Sequence, residues 1–208
     1  PSACPDGYLV KYEIQVTGSG VVLTIEQGIV IKHEGSGMLI VEDGAALVAQ
    51  GTASAKIRFT SLHGAPASYR GLRITSDNGD AKLTRFERVA LQRNAGGAAH
   101  VDAPLVPQLR GVGNAFEGVT YVEVTSLKKV TEDAVWPSVA PGVYRLVGQN
   151  GSGGDVLRVE KHLEIEPGAV VEMAPNAGIL VAGSSAGLKA VGTPDQKIVF
   201  RGVAAAGW

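Results

Sequence analysis

The chain has 208 residues, of which 45% are hydrophobic and 19% charged, with a formal net charge of −1. That is enough apolar mass for a sizeable core, and too little charge of either sign to recruit nucleic acid or an anionic membrane. No apolar run approaches the roughly 18 residues that span a bilayer, so no membrane insertion is expected. The one cysteine, Cys4, excludes an internal disulfide framework and a cysteine-cluster metal site. Pro1, not Met, opens the sequence, which reads as a processed chain or a fragment from which any export signal is already gone.

In chain order the texture is short aliphatic strands. Val22–Ile25, Ile29–Lys32, Met38–Val41, Ala45–Ala49 and Lys56–Thr60 are β-branched or aliphatic runs, parted by turns at Glu26-Gln27-Gly28, His33–Gly37 and Glu42-Asp43-Gly44. Further strands are predicted at Gly71–Thr75, Leu83–Phe86, Val89–Gln92, Val119–Val124, Val143–Val147 and Val156–Glu160. No window carries the i, i+3, i+4, i+7 apolar spacing of an amphipathic helix; Asp80–Arg93 comes nearest and fits strands equally well.

The chain repeats itself. Leu23, Ile25, Glu26 and Gly28 recur as Leu163, Ile165, Glu166 and Gly168 at an offset of 140. Leu39, Leu47, Gly51, Thr52, Ile57 and Phe59 recur as Leu180, Leu188, Gly192, Thr193, Ile198 and Phe200 at 141, which places one extra residue in the turn after the first glycine. Pro1-Ser2 ahead of Tyr8 matches Pro137-Ser138 ahead of Tyr144. The expectation is a single domain, 1-208, built of a complete module, 1-136, and an incomplete one, 137-208. Strands of four or five residues, bends rather than reversals, and aliphatics recurring in register point to an all-β parallel β-solenoid, with coils of about 20–25 residues and roughly eight or nine of them. An antiparallel β-sandwich, which would need hairpin turns, is the alternative.

The segments LTIEQGIVI, LIVEDGAALVAQGT, KIRFTS and YRGLRI resemble the right-handed parallel β-helix of bacterial exported and cell-surface proteins, within the pectin-lyase-like superfamily. Its pattern runs LTIEPG-V-I, LxVxxGAxLxAxGT, xxIxFTS, WxGI; Tyr69 stands where it often has Trp, and Trp208 falls where its next coil would begin. The resemblance covers nearly the whole chain. It implies an extracellular or cell-surface location and a fold shared by enzymes, adhesins and stalks alike.

The acid clusters of polysaccharide hydrolases and lyases are missing: there is no Asp-Asp pair, Asn-Thr-Asp, Gly-His-Gly or Arg-Ile-Lys. Asp77-Asn78-Gly79-Asp80 reads as a turn, and a Ca²⁺ site at Asp77 and Asp80 is the alternative to an expectation of no cofactor. Gly151-Ser152-Gly153-Gly154-Asp155 holds part of a calcium nonapeptide and reads as a turn. His33, His63, His100 and His162 are scattered, without metal-ligand spacing. Cys4 reads as a residue at a loose or capping end, or as a disulfide partner for a missing part of a parent chain. Serine-hydrolase elbows and phosphate loops are absent.

One charge asymmetry stands out. Between Lys56 and Arg93 lie eight basic residues against three acidic ones. If Arg70, Arg73, Arg85, Arg88 and Arg93 aligned coil upon coil, they would form a stripe for an anionic polysaccharide; otherwise they are outward positions that keep a sheet soluble. The reading that follows is a non-enzymatic structural or adhesive module, self-associating end to end through the open solenoid ends with Trp208 as an anchor. A carbohydrate-binding or polysaccharide-degrading protein is the alternative.

Overall fold

The computed structural model describes residues 7–62, 71–75, 82–92, 99–126, 129–138, 143–148 and 156–203. Every strand pairing found between them is parallel, and the fold is a parallel β-solenoid. The chain divides into two compact units, 1–100 with 108–120, and 101–107 with 121–208.

In the first unit the strands are β1 (Tyr8–Val10), β2 (Glu13–Thr17), β3 (Val22–Ile25), β4 (Val30–His33), β5 (Met38–Glu42), β6 (Ala46–Gln50), β7 (Ile57–Ser61), β8 (Leu72–Ile74), β9 (Lys82–Glu87) and β10 (Val89–Gln92). After β11 (His100–Asp102) and a 3₁₀ segment (Ala103–Arg110) comes β12 (Ala115–Glu117). Three sheets wall the unit: β1-β4-β7-β10-β12, β2-β5-β8 and β3-β6-β9. Inside, equivalent side chains stack: Ile31 on Phe59 on Leu91, and Leu39 on Leu72. Phe59, Leu91, Leu72, Leu47 and Ile57 are fully buried. Each such side chain contributes about 1.5–3 kcal/mol of apolar burial.

The second unit holds β13 (Val122–Thr125), β14 (Ala134–Trp136), β15 (Val143–Val147), β16 (Val156–Val159), β17 (His162–Ile165), β18 (Val170–Met173), β19 (Gly178–Val181), β20 (Gly187–Ala190) and β21 (Val199–Gly202). Its ladders are β13-β15-β18-β21, β16-β19 and β14-β17-β20.

The internal repeat is a repeat of register. Ile31 faces Phe59 as Val171 faces Phe200, and Leu23 faces Leu47 as Leu163 faces Leu188. Tyr8 faces Ile31 as Tyr144 faces Val171. The seven strands β15–β21 thus reproduce β1–β7. The Gly-Thr pair has the same task in both copies: the Thr52 hydroxyl accepts the Ala55 N–H at 3.0 Å, and the Thr193 hydroxyl accepts the Gln196 N–H at 3.0 Å. A Cβ on Gly51 would lie 2.7 Å from the Arg88 carbonyl oxygen, so only glycine lets the next coil approach there.

Three expectations are corrected. The solenoid makes about six turns instead of eight or nine, because its coils are longer: Val122 meets Tyr144, 22 residues on, but Leu39 meets Leu72, 33 residues on. Leu180 is not the counterpart of Leu39. Ile179 is, since Leu157–Ile179 repeats the inward Ile14–Leu39 pairing, whereas Leu180 stands opposite the exposed Arg158 and is 48% exposed. The extra residue therefore lies between Val181 and Gly187. Third, Leu188 and Phe200 occupy inward registers yet are 39% and 43% exposed, because no described strand covers β20 or β21.

The turn expected at Glu42-Asp43-Gly44 is present and ends at Ala45. Asp43 and Gly44 both have positive φ (53° and 84°), the dihedral signature of a hairpin turn, and Ala45 N–H donates to the Glu42 carbonyl at 3.1 Å. Here it joins strands of two different sheets and turns a corner of the coil.

Candidate functional site

Of the five arginines proposed as a stripe, Arg70 and Arg93 lie outside the described residues. The other three sit on successive segments of one stretch of coil. Arg73 is on β8, where its Nε donates to Thr75 Oγ1 at 3.0 Å. Arg85 is on β9, in a different sheet, and donates to Gln50 Oε1 at 3.1 Å. Arg88 is the bend between β9 and β10, with φ 51° and Glu87 at 3.9 Å. In register Arg73 aligns with Ile40 and Arg85 with Val48, so neither stacks on a basic residue of the preceding coil.

Cys4, His63, Asp77, Asp80, the 151–155 turn and Trp208 lie outside the described residues. His33 and His100 are buried, and His162 is exposed. Among the described residues no group of three or more His, Cys, Asp or Glu side chains could hold a metal.

Where the structure does align charges is the second unit, a feature the sequence reading missed. Glu123, Arg145, Glu172 and Arg201 stand on adjacent rungs of β13, β15, β18 and β21. Arg145 donates to Glu172 Oε2 at 2.7 and 2.9 Å, and Arg201 donates to Oε1 at 2.7 and 3.1 Å. Arg145 also lies over the Tyr121 ring, 3.5 Å from its centroid. Burial pushes the Glu172 carboxyl up, but the two guanidinium groups outweigh it and hold the group below the usual carboxylate range. The spacing of one coil, 22 to 29 residues, hides this ladder from any local pattern.

Two further surfaces are chemically distinctive. On the outer face of β7-β10-β12, Thr60, Gln92 and Glu117 share one column and line a polar recess of about 470 Å³, with the Gln92 amide donating to the Glu117 carboxylate. On the side of β1, β2 and β3 where no described strand pairs with them, an apolar cavity of about 380 Å³ opens. Tyr8, Val10, Ile14, Leu23, Ile25 and Ile31 line it. Strands β19, β20 and β21 of the second unit, which no described strand covers on one side, expose Val181, Leu188, Val199 and Phe200.

No family model matches the chain, and neither the curated proteins nor the solved structures contain a significant match to it.

Proposed function

We propose that the chain is a non-enzymatic structural or adhesive module of an exported bacterial surface protein, of the right-handed pectin-lyase-like kind, that associates end to end. The observation that carries this reading is the uncovered coil β19–β21. Core-register side chains such as Leu188 and Phe200 face solvent there, with no described strand paired beyond them, an edge that natural β proteins cover or use. A strand added to that edge gains main-chain hydrogen bonds and buries the apolar row at once. Because the two ends differ, contact between them is heterologous and does not close, so it builds filaments.

Light scattering over a wide concentration range tests the reading. Mass rising well above 21.5 kDa is expected; a mass fixed there throughout overturns it.

The polar recess at Thr60, Gln92 and Glu117 favours a second reading, a carbohydrate-binding module, since amide and carboxylate groups in a column suit sugar hydroxyls. A glycan array that includes acidic polysaccharides, combined with a lyase assay, tests it. Binding lost on Gln92→Ala supports it, and turnover would replace the structural reading with an enzymatic one.

A further inference from the structure

The outward column of the sheet β1-β4-β7-β10-β12 has a counterpart in the second unit, and the two differ in chemistry. Arg145, Glu172 and Arg201 there occupy the registers of Leu9, Lys32 and Thr60. Their charges close on one another: both guanidinium groups bond Glu172, which is only 8% exposed. Pairing rung to rung on this face therefore needs no open polar group. In the first unit the column runs Lys32, Thr60, Gln92 and Glu117 instead, and its last three members border the recess of about 470 Å³. Small-ligand pockets measure about 300–1,000 Å³, so the recess has room for a ligand of that class.

The recess offers acceptors and few donors. The Thr60 hydroxyl donates to the Ser61 carbonyl at 3.5 Å, and the Gln92 amide spends one hydrogen on Glu117 Oε2. Thr60 Oγ1, Gln92 Oε1 and Glu117 Oε1 have no donor among the described residues. Glu117 is exposed, and no described cation pairs with it. Lys32 stands three rungs away in the same column, about 14 Å at the usual strand spacing, which exceeds the screening length of about 8 Å at physiological salt. Arg58 is two rungs and two residues distant, about 12 Å by the same spacing. Among the described lining residues Glu117 carries the one charge, and it is negative. An acidic glycan would meet repulsion there and find little to donate to it. An ammonium group supplies three donors and a charge-assisted bond to the carboxylate. No apolar side chain is among those lining residues, so the ligand that fits is polar throughout, as a sugar ring is and the stem of a lysine is not.

We infer that the recess is a subsite for a glycan bearing a free amino group, its ammonium on Glu117 and its hydroxyls on Gln92 Oε1 and Thr60 Oγ1. This rests on the carbohydrate-binding reading and names the ligand class within it. Lys32 and Arg58 keep the other end of the face positive, so the amine is directed to the Glu117 end.

The test is calorimetric titration of the full chain with a glucosamine oligomer, its N-acetylated counterpart of equal length, an oligogalacturonate and spermidine. The glucosamine oligomer should bind, at least tenfold more tightly than the other three, and more weakly as salt rises. Glu117→Gln keeps the shape of an exposed side chain and should cost at least tenfold. Gln92→Ala should also weaken binding, and Glu13→Gln, at an exposed glutamate elsewhere, should leave it unchanged. If the N-acetylated or the acidic oligomer binds as tightly and depends on Gln92, the amine assignment is overturned while the carbohydrate reading stands. If spermidine binds as tightly, the recess reads charge alone and the glycan assignment falls. Equal effects of Glu117→Gln and Glu13→Gln would reduce the binding to diffuse attraction and overturn the subsite. If no oligomer binds, the inference falls, and a blank glycan array would take the carbohydrate reading with it.

Discussion

Phe59 and Phe200 hold the same position in two copies of one coil, facing Ile31 and Val171, yet Phe59 is fully buried and Phe200 is 43% exposed. The difference is the coil above: Leu91 on β10 covers Phe59, and no described residue covers Phe200. Phe59→Ala should accordingly cost about 3–5 kcal/mol in urea unfolding. Phe200→Ala, with far less burial to lose, should cost about 1 kcal/mol or less in dilute protein. Equal costs would mean that Phe200 is covered in solution.

His33 gives the first unit a sensitivity to acid. It is fully buried, stacked near Phe59 with ring centroids 6.2 Å apart, and its Nδ1 lies 3.2 Å from the Gly37 carbonyl oxygen. Burial lowers its pKa from 6.5 to about 4, against a smaller upward pull from that carbonyl. Below pH 6.5 the unfolded chain therefore binds a proton that the folded chain refuses. Stability is fully present above 6.5, falls as pH drops towards 4, and loses about 3 kcal/mol in that window. The second unit has Met173 at this position, so His33→Met should remove this component of acid destabilisation. Thermal unfolding followed across that window for both chains checks it; parallel curves would exclude His33 as the source.

Asn114 ties two strands and the 3₁₀ segment together through their backbone. Its Oδ1 accepts the Val89 N–H at 3.0 Å, while its Nδ2 donates to the Phe86 and Leu109 carbonyls at 2.8 and 3.1 Å. Asn114→Ala should destabilise by about 2–3 kcal/mol, since it leaves partly buried backbone groups unpaired. Asn114→Asp should be worse at neutral pH, because a carboxylate would face two carbonyl oxygens. Chemical denaturation ranks the two variants, and a tolerated aspartate would refute the assigned donor roles.

The ladder through Glu172 should behave as a unit. Glu172→Gln removes the charge both guanidinium groups share, leaving Arg145 and Arg201 two rungs apart with no anion between them. A loss of about 1–2 kcal/mol is expected, and the double variant Glu172→Gln with Arg201→Gln should lose less than the sum of the singles. Additive losses in a double-mutant cycle would show that the ladder has no coupling. Because the Glu172 carboxyl is held below its usual range, its contribution persists at neutral pH and disappears as pH falls through that lowered value.

The strands and the fold class were legible because each depends on local pattern. Val22–Ile25, Val89–Gln92 and Val143–Val147 appear with the bounds their β-branched runs indicate, and the recurring Gly-Thr bends mark corners that the hydroxyl of Thr52 or Thr193 completes. The repeat itself was visible down to the pairs Leu23–Leu163 and Phe59–Phe200, since close-packed equivalent positions demand similar side chains. Coil length was not legible, because loops such as the one between Leu39 and Leu72 take extra residues at little cost once the rungs above and below are paired. Nor was the position of the inserted residue: Ile179 and Leu180 are both aliphatic, and only pairing with Leu157 or Arg158 tells inward from outward. The arginines of the first unit read as a stripe because the sequence carries their number but not their face, and the described ones lie on different segments of coil. The ladder of Glu123, Arg145, Glu172 and Arg201, and the burial of Trp136 against Tyr144, were decided by tertiary structure alone. Both depend on which residues stack across a coil of variable length, and that register is set by the packing of the whole turn.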